Sequence, residues 1–267
     1  MDVTNDPEAG SVAVAVRAHE AERFEPVVEN GGGTSRFVLL CDHASNACPP
    51  GLGDLGLAQA DWQAHIAWDP GALAVARRLS RLLDAPLVHA AVSRLVLDCN
   101  RAPDARDLVP AFSGGIRIAG NEGLPPEERA RRIAAVHEPY HDGIERVLAA
   151  RLAAGSETAL VAVHSFTPVL GGVARPWHVG ILFGRDRRLA DRCLATLRAE
   201  PGLVVGENEP YSPRDGVYYT LGRHGEARGL PSVMIEIRND LIAEEEGQAS
   251  WAERIARALD GEGAGHA

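Results

Sequence analysis

His137 and His141 stand four residues apart in "HEPYH", with Glu138 beside the first. On a helix this spacing aims two imidazoles at one zinc ion and sets a carboxylate beside its water. Pro139 interrupts that geometry, because it lacks a backbone donor and its ring crowds the carbonyl of Ala135. No third ligand follows downstream. The segment reads as a kinked helix whose bend can still deliver Tyr140 and His141 to a site.

A second set lies at the ends of apolar runs. His43 follows "FVLLCD", His164 follows "LVAV", and Glu236 lies within "VMIEIRND". In parallel α/β sheets, polar residues at the carboxyl ends of strands face the functional crevice. Two histidines and a carboxylate suffice for a catalytic zinc with one place open to water, and a further carboxylate can take the proton. Each histidine alone also fits a buried, hydrogen-bonded imidazole. Glu236 is costly to bury unpaired, so its structural alternative is an ion pair with Arg238 or another arginine. Asp69, in "WDPGA", already reads as a complete helix cap, and on local sequence alone a ligand role is the weaker alternative. In "SRLVLDCNRAPD", Arg94 and the Asn100–Arg101 pair offer a fork for a carboxylate. The same arginines can instead pair with Asp98 and Asp104.

The elements that must position these groups alternate along the chain. Strands are predicted at 36–43, 85–92, 93–98, 158–166, 177–184 and 231–238. Helices are predicted at 69–84, where Asp69 caps and Pro70 opens the first turn, at 125–155, near 186–199 and at 249–260. The pattern predicts one α/β domain over residues 36–260, a mostly parallel mixed sheet with helices on both faces. A flexible arm is expected at 1–35, ending in "NGGGTS", and a frayed tail at 261–267.

Composition narrows the function. The 267 residues carry a formal charge of −10 without a basic run, which argues against nucleic acid and anionic membranes as partners. No apolar run approaches a membrane span, and the acidic start lacks the order of a signal peptide. Cys41, Cys48, Cys99 and Cys193 have no zinc-knuckle or redox spacing, so a reducing cytoplasm is expected. No oligomeric state follows from the sequence.

Taken together and in order, "LLCDHASNACPPGLGDLGL", "HIAWDPGA", "SRLVLDCNR", "HEPYH", "VAVHSF" and "GLPSVMIEIRNDLI" resemble the N-formylglutamate amidohydrolase family, from about Phe37 to about Leu241. That family is similar in fold to zinc carboxypeptidases and aspartoacylase-type deacylases. The resemblance implies a zinc-exopeptidase-like fold and metal-dependent cleavage of N-formyl-L-glutamate, a small acidic N-acyl amino acid, to formate and glutamate in histidine breakdown. It makes His43 and His164 zinc ligands and Glu236 the base. Arg94 then polarises the amide carbonyl, Asn100 and Arg101 clamp the substrate carboxylate, and Tyr140 and His141 line the pocket. One departure stands out: where zinc carboxypeptidases carry a glutamate three residues after the first histidine, this chain has Asn46, so Asp69 is expected as the third ligand. The competing readings are a hydrolase of another N-acyl amino acid or a cell-wall amide, a metal-free hydrolase using Cys41 with His43, and a binding protein without catalysis.

Overall fold

Short runs of Val, Ile and Leu set the frame, because branched apolar side chains suit strands buried on both faces. The computed structural model describes residues 23–261. In chain order the strands are β1 (Val27–Glu29), β2 (Phe37–Cys41), β3 (Leu87–His89), β4 (Phe112–Ser113), β5 (Ile116–Arg117) and β6 (Ala159–Phe166). They continue as β7 (Val169–Leu170), β8 (Val173–Ala174), β9 (Val179–Leu182), β10 (Val205–Glu207) and β11 (Ser232–Arg238). Seven form one sheet in the order β1-β3-β2-β6-β11-β9-β10, while β4–β5 and β7–β8 are separate hairpins. Neighbours β3, β2, β6 and β11 run parallel, β9 and β10 run the other way as a parallel pair, and β1 lies antiparallel on the edge.

The helices are α1 (Gln59–Gln63), α2 (Ala72–Leu83), α3 (Pro126–Arg132), α4 (Glu138–Ala153), α5 (Arg188–Arg198), α6 (Tyr219–His224) and α7 (Glu245–Asp260). Strand side chains alternate between two faces. Leu39, Val161, Val163, Ile235 and Ile237 pack under α2, α5 and α7 with Val75, Leu79, Leu194, Trp251 and Ile255. Val38, Leu40, Ala162 and Met234 pack on the opposite face under α4 and α6 with Tyr140, Ile144, Leu148 and Leu221. The result is the expected single α/β domain with a mostly parallel mixed sheet covered on both faces. Among the described residues, no helix is long and apolar enough to cross a membrane.

Four local expectations differ. The helix expected over 125–155 comes in three pieces, with a π-helical turn at Ile133–His137 between α3 and α4. There the amide of Glu138 bonds the carbonyl of Ile133, five residues back. The widened turn accommodates Pro139, whose ring would otherwise strike the carbonyl of Ala135. "SRLVLD" is not a strand: the Ser93 hydroxyl accepts from the amide of Leu95, and the amide of Val96 bonds the carbonyl of Ser93. That local bonding competes with a ladder and folds the apolar run into a buried turn. Asp69 does not cap α2, which opens at Ala72 behind Gly71 in a left-handed conformation (φ 82°) with no side-chain cap. Finally, part of the expected arm is docked. Residues 1–22 lie outside the described residues, as do 262–267 of the expected tail, but β1 pairs with β3. Glu29 there accepts from His89 at 3.1 Å and Arg77 at 2.7 Å.

Candidate active site

The parallel register sets the site. Glu236 on β11 sits directly opposite His164 on β6. Both continue the row of Leu160, Ala162 and Met234 that faces the α4 layer, so they emerge side by side near the carboxyl ends of their strands. Asp42 and His43 follow β2 immediately, and Asp69 leads into α2, held to the same end by a bond from its amide to the carbonyl of His43.

His43 Nδ1 lies 3.4 Å, and His164 Nδ1 2.9 Å, from the same oxygen, Asp69 Oδ2. The candidate ligand atoms of His43, Asp69 and His164 all lie within 4.8 Å of one another, and all three residues are buried. Each ring's second nitrogen is held from behind by a carboxylate: His43 Nε2 donates to Asp98 at 2.7 Å, and His164 Nε2 to Asp42 at 2.9 Å. A carboxylate behind the imidazole is the arrangement that fixes a ligating histidine's ring and raises its basicity. Asp69 Oδ1 lies 2.8 Å from Arg94 Nη2 but makes no aligned hydrogen bond, leaving a buried oxygen without a hydrogen-bond partner. Two imidazoles, one carboxylate and an orphaned oxygen make a donor set that could hold a metal ion. Asn46 takes no part, since its amide donates to the carbonyl of Trp62.

The charges are tightly set. Burial raises the Asp69 carboxyl, but Arg94 and His43 more than reverse this and hold it well below the ordinary range. Burial lowers His164, yet hydrogen bonds to Asp42 and Asp69 hold it well above an ordinary imidazole. Glu236 is the opposite case: burial pushes it up to about 7, and its Oε2 has no hydrogen-bond partner.

His43, Asp69, His164 and Glu236 border a cavity of about 110 Å³ together with His65, Arg94, Asn100, Arg101 and Tyr211. Arg94 donates to His43 Nδ1 at 3.1 Å and is braced by the carbonyls of His65, Ile66 and Trp68. Arg101 donates to Asp107 at 2.7 Å, and its Nη2 makes no hydrogen bond among the described residues. The Asn100 side chain ties down the neighbouring loop through the carbonyl of Val217 and the amide of Thr220.

Tyr140 and His141 do not line this cavity, contrary to expectation. The Tyr140 hydroxyl donates to Asp42 at 2.8 Å, alongside Thr220 at 2.7 Å, and so braces the carboxylate behind His164. His141 Nε2 donates to the carbonyl of Cys99, its Nδ1 accepts from His224, and His137 donates to the carbonyl of Arg101. The two "HEPYH" histidines therefore hold the Cys99–Arg101 turn from behind and do not face a common metal.

Sequence reasoning missed Asp42, His65, Tyr211 and Arg175. Asp42 carried a usable signal, an acid closing a buried apolar strand. Tyr211 and Arg175 carried none. Arg175 is buried, and both its terminal nitrogens donate to the Tyr211 hydroxyl at 3.0 Å. A guanidinium cannot accept, so the tyrosine proton is left to donate elsewhere.

A family model described as N-formylglutamate amidohydrolase matches residues 35–243. Among solved structures, a gene product of Agrobacterium tumefaciens is 45% identical, with a TM-score of 0.87 over 90% of this chain and 95% of that one. An N-formylglutamate amidohydrolase from Ralstonia eutropha JMP134 shares the fold at 20% identity, with a TM-score of 0.60 over 89% of this chain and 97% of that one. A comparison with curated proteins found no match.

Proposed function

The chain belongs to the N-formylglutamate amidohydrolase family, and from that premise we propose a zinc-dependent hydrolase of an N-acylated acidic amino acid, with N-formyl-L-glutamate as first candidate. The observation that carries this reading is the convergence of two imidazole Nδ1 atoms on Asp69 beside a buried Glu236 whose Oε2 has no hydrogen-bond partner. The zinc-exopeptidase-like plan belongs to the same proposal, supported by donors gathered at the carboxyl ends of parallel strands.

His43, Asp69 and His164 would hold the ion, which supplies Lewis acidity toward the amide carbonyl and lowers the pKa of water beside it. Glu236 takes a proton from the attacking water and returns it to the leaving nitrogen. Burial raises this carboxyl and favours its holding the proton between the two transfers, while a cation in the neighbouring donor set would draw it back down. Arg94 and the Tyr211 hydroxyl, its oxygen fixed by Arg175, donate toward the oxygen that gains charge as the carbonyl is attacked. Arg101, through its unoccupied Nη2, and Asn100 bind the substrate carboxylate.

Purified protein should carry about one zinc per chain and release formate from N-formyl-L-glutamate. Chelation should remove both, and zinc should restore both. Protein that takes up no divalent metal ends the reading.

A further inference from the structure

The cavity at the donor set is too small for a whole substrate. At about 110 Å³ it falls below the roughly 300–1,000 Å³ of ordinary ligand clefts. It adjoins a larger outer chamber of about 450 Å³, and His65, Arg94, Arg101 and Tyr211 border both spaces. Whatever reacts in the inner cavity must extend its bulk into the outer one.

The walls of that chamber differ in kind. One side is polar, with Arg94, Asp98, Arg101 and Asp107. The other comes from the two hairpins that stand apart from the main sheet, β4–β5 and β7–β8. Each turns on two glycines of positive φ, Gly114–Gly115 and Gly171–Gly172, the conformation that two-residue hairpin turns require. Four of the nine exposed large hydrophobic residues among those described lie on these hairpins: Phe112 (63% exposed), Val169 (52%), Leu170 (48%) and Val173 (68%). Phe112, Val169 and Leu170 face the chamber together with Ile66. Apolar side chains gathered at the mouth of a polar cavity mark a binding surface rather than scattered surface residues. N-formylglutamate has only two methylenes between its polar ends and offers these side chains little to cover them.

We propose that the outer chamber is a subsite for an apolar substituent, so that the preferred substrate is an N-acyl amino acid larger and less polar than N-formylglutamate. The proposal rests on the amidohydrolase reading of the inner cavity. The chemistry required is an aliphatic or aromatic group attached to the scissile amide, on its acyl or its amine side. The polar wall beside Arg101 keeps the carboxylate while the hairpins take the apolar group.

The test is a matched series on the zinc-loaded enzyme: N-formyl-, N-butanoyl- and N-octanoyl-L-glutamate, with N-formyl-L-leucine and N-formyl-L-phenylalanine. The expected result is a rise in kcat/KM of about tenfold or more over N-formyl-L-glutamate, the scale of one or two buried methylenes. A rise along the acyl series puts the apolar group on the acyl side; a rise with leucine and phenylalanine puts it on the amine side. Phe112→Ser with Leu170→Ser, both at exposed positions, should lower kcat/KM for the apolar substrates by a larger factor than for N-formyl-L-glutamate. If N-formyl-L-glutamate is turned over best and apolar groups on either side lower kcat/KM, the subsite is refuted while the amidohydrolase reading stands. If the zinc-loaded enzyme cleaves nothing in the series, that reading falls and the subsite with it.

Discussion

Glu236 and Tyr211 both border the inner cavity, and each tests a different part of the proposed chemistry. Glu236→Gln keeps size and hydrogen bonding but cannot accept a proton. It should retain zinc while kcat falls by roughly 10²–10⁴-fold, the usual share of general acid–base catalysis. If zinc content collapses instead, Glu236 is a ligand and the assignment of Asp69 fails. Tyr211→Phe removes the donor that Arg175 fixes, and kcat should fall on the order of 10²-fold with little change in KM. A rise in KM with kcat unchanged would instead place the hydroxyl on the ground-state substrate. His43, His164 and Glu236 could be picked out from sequence because polar groups closing apolar strands are costly without a task. Asp69 could not be separated from a helix cap, since Asp-Pro-Gly satisfies both roles on paper. Tyr211 and Arg175 meet only through folding of the 175–211 region, and no spacing announces such a pair.

At the scale of elements, the π-helical turn at Ile133–His137 precedes Pro139 and the segment that carries His141 against the carbonyl of Cys99. Burial, with His137 and His224 nearby, lowers the His141 pKa to about 2. The unfolded imidazole titrates near 6.5, so between these values only the unfolded state binds the proton. The stability that neutral His141 contributes is therefore complete above about pH 6.5 and is lost as pH falls below it. His141→Gln lacks that dependence. The gap in unfolding free energy between wild type and variant should narrow by about 1 kcal/mol between pH 7.5 and 5.5 in urea titrations. A constant gap would mean that His141 titrates in the fold as it does in the unfolded chain, and a gap that widens as pH falls would mean that it is held protonated. The main strands and helices were visible in the sequence through their periodicity. "SRLVLD" misled because a serine hydroxyl can redirect an apolar run into a turn. The strand at Val27–Glu29 was hidden because three residues on a sheet edge carry almost no pattern.

For the whole molecule, the proposed ion is also a source of stability, because the donors come from distant parts of the chain and meet only in the native state. Zinc at a hundredfold excess over its Kd should stabilise the fold by about 2.7 kcal/mol, seen as a rise in Tm. His164→Ala should abolish the rise, and Asp42→Asn should weaken zinc binding by roughly 10–100-fold through loss of the support behind His164. An unshifted Tm in zinc-treated wild type would contradict the site. The sheet order carries a separate implication for biosynthesis. β11 is the last strand of the sheet to be made, yet it occupies the slot between β6 and β9. From the end of β6 until β11 emerges, roughly 3–13 s at the usual pace of synthesis, β6 lacks that neighbour, and β9 lacks it from the moment it is made. Open strand edges of this kind invite pairing with other chains. A chain truncated at Leu230 should therefore stay protease-sensitive and aggregate, and the nascent protein should depend on chaperones that shield β-edges until the middle of its sheet is filled.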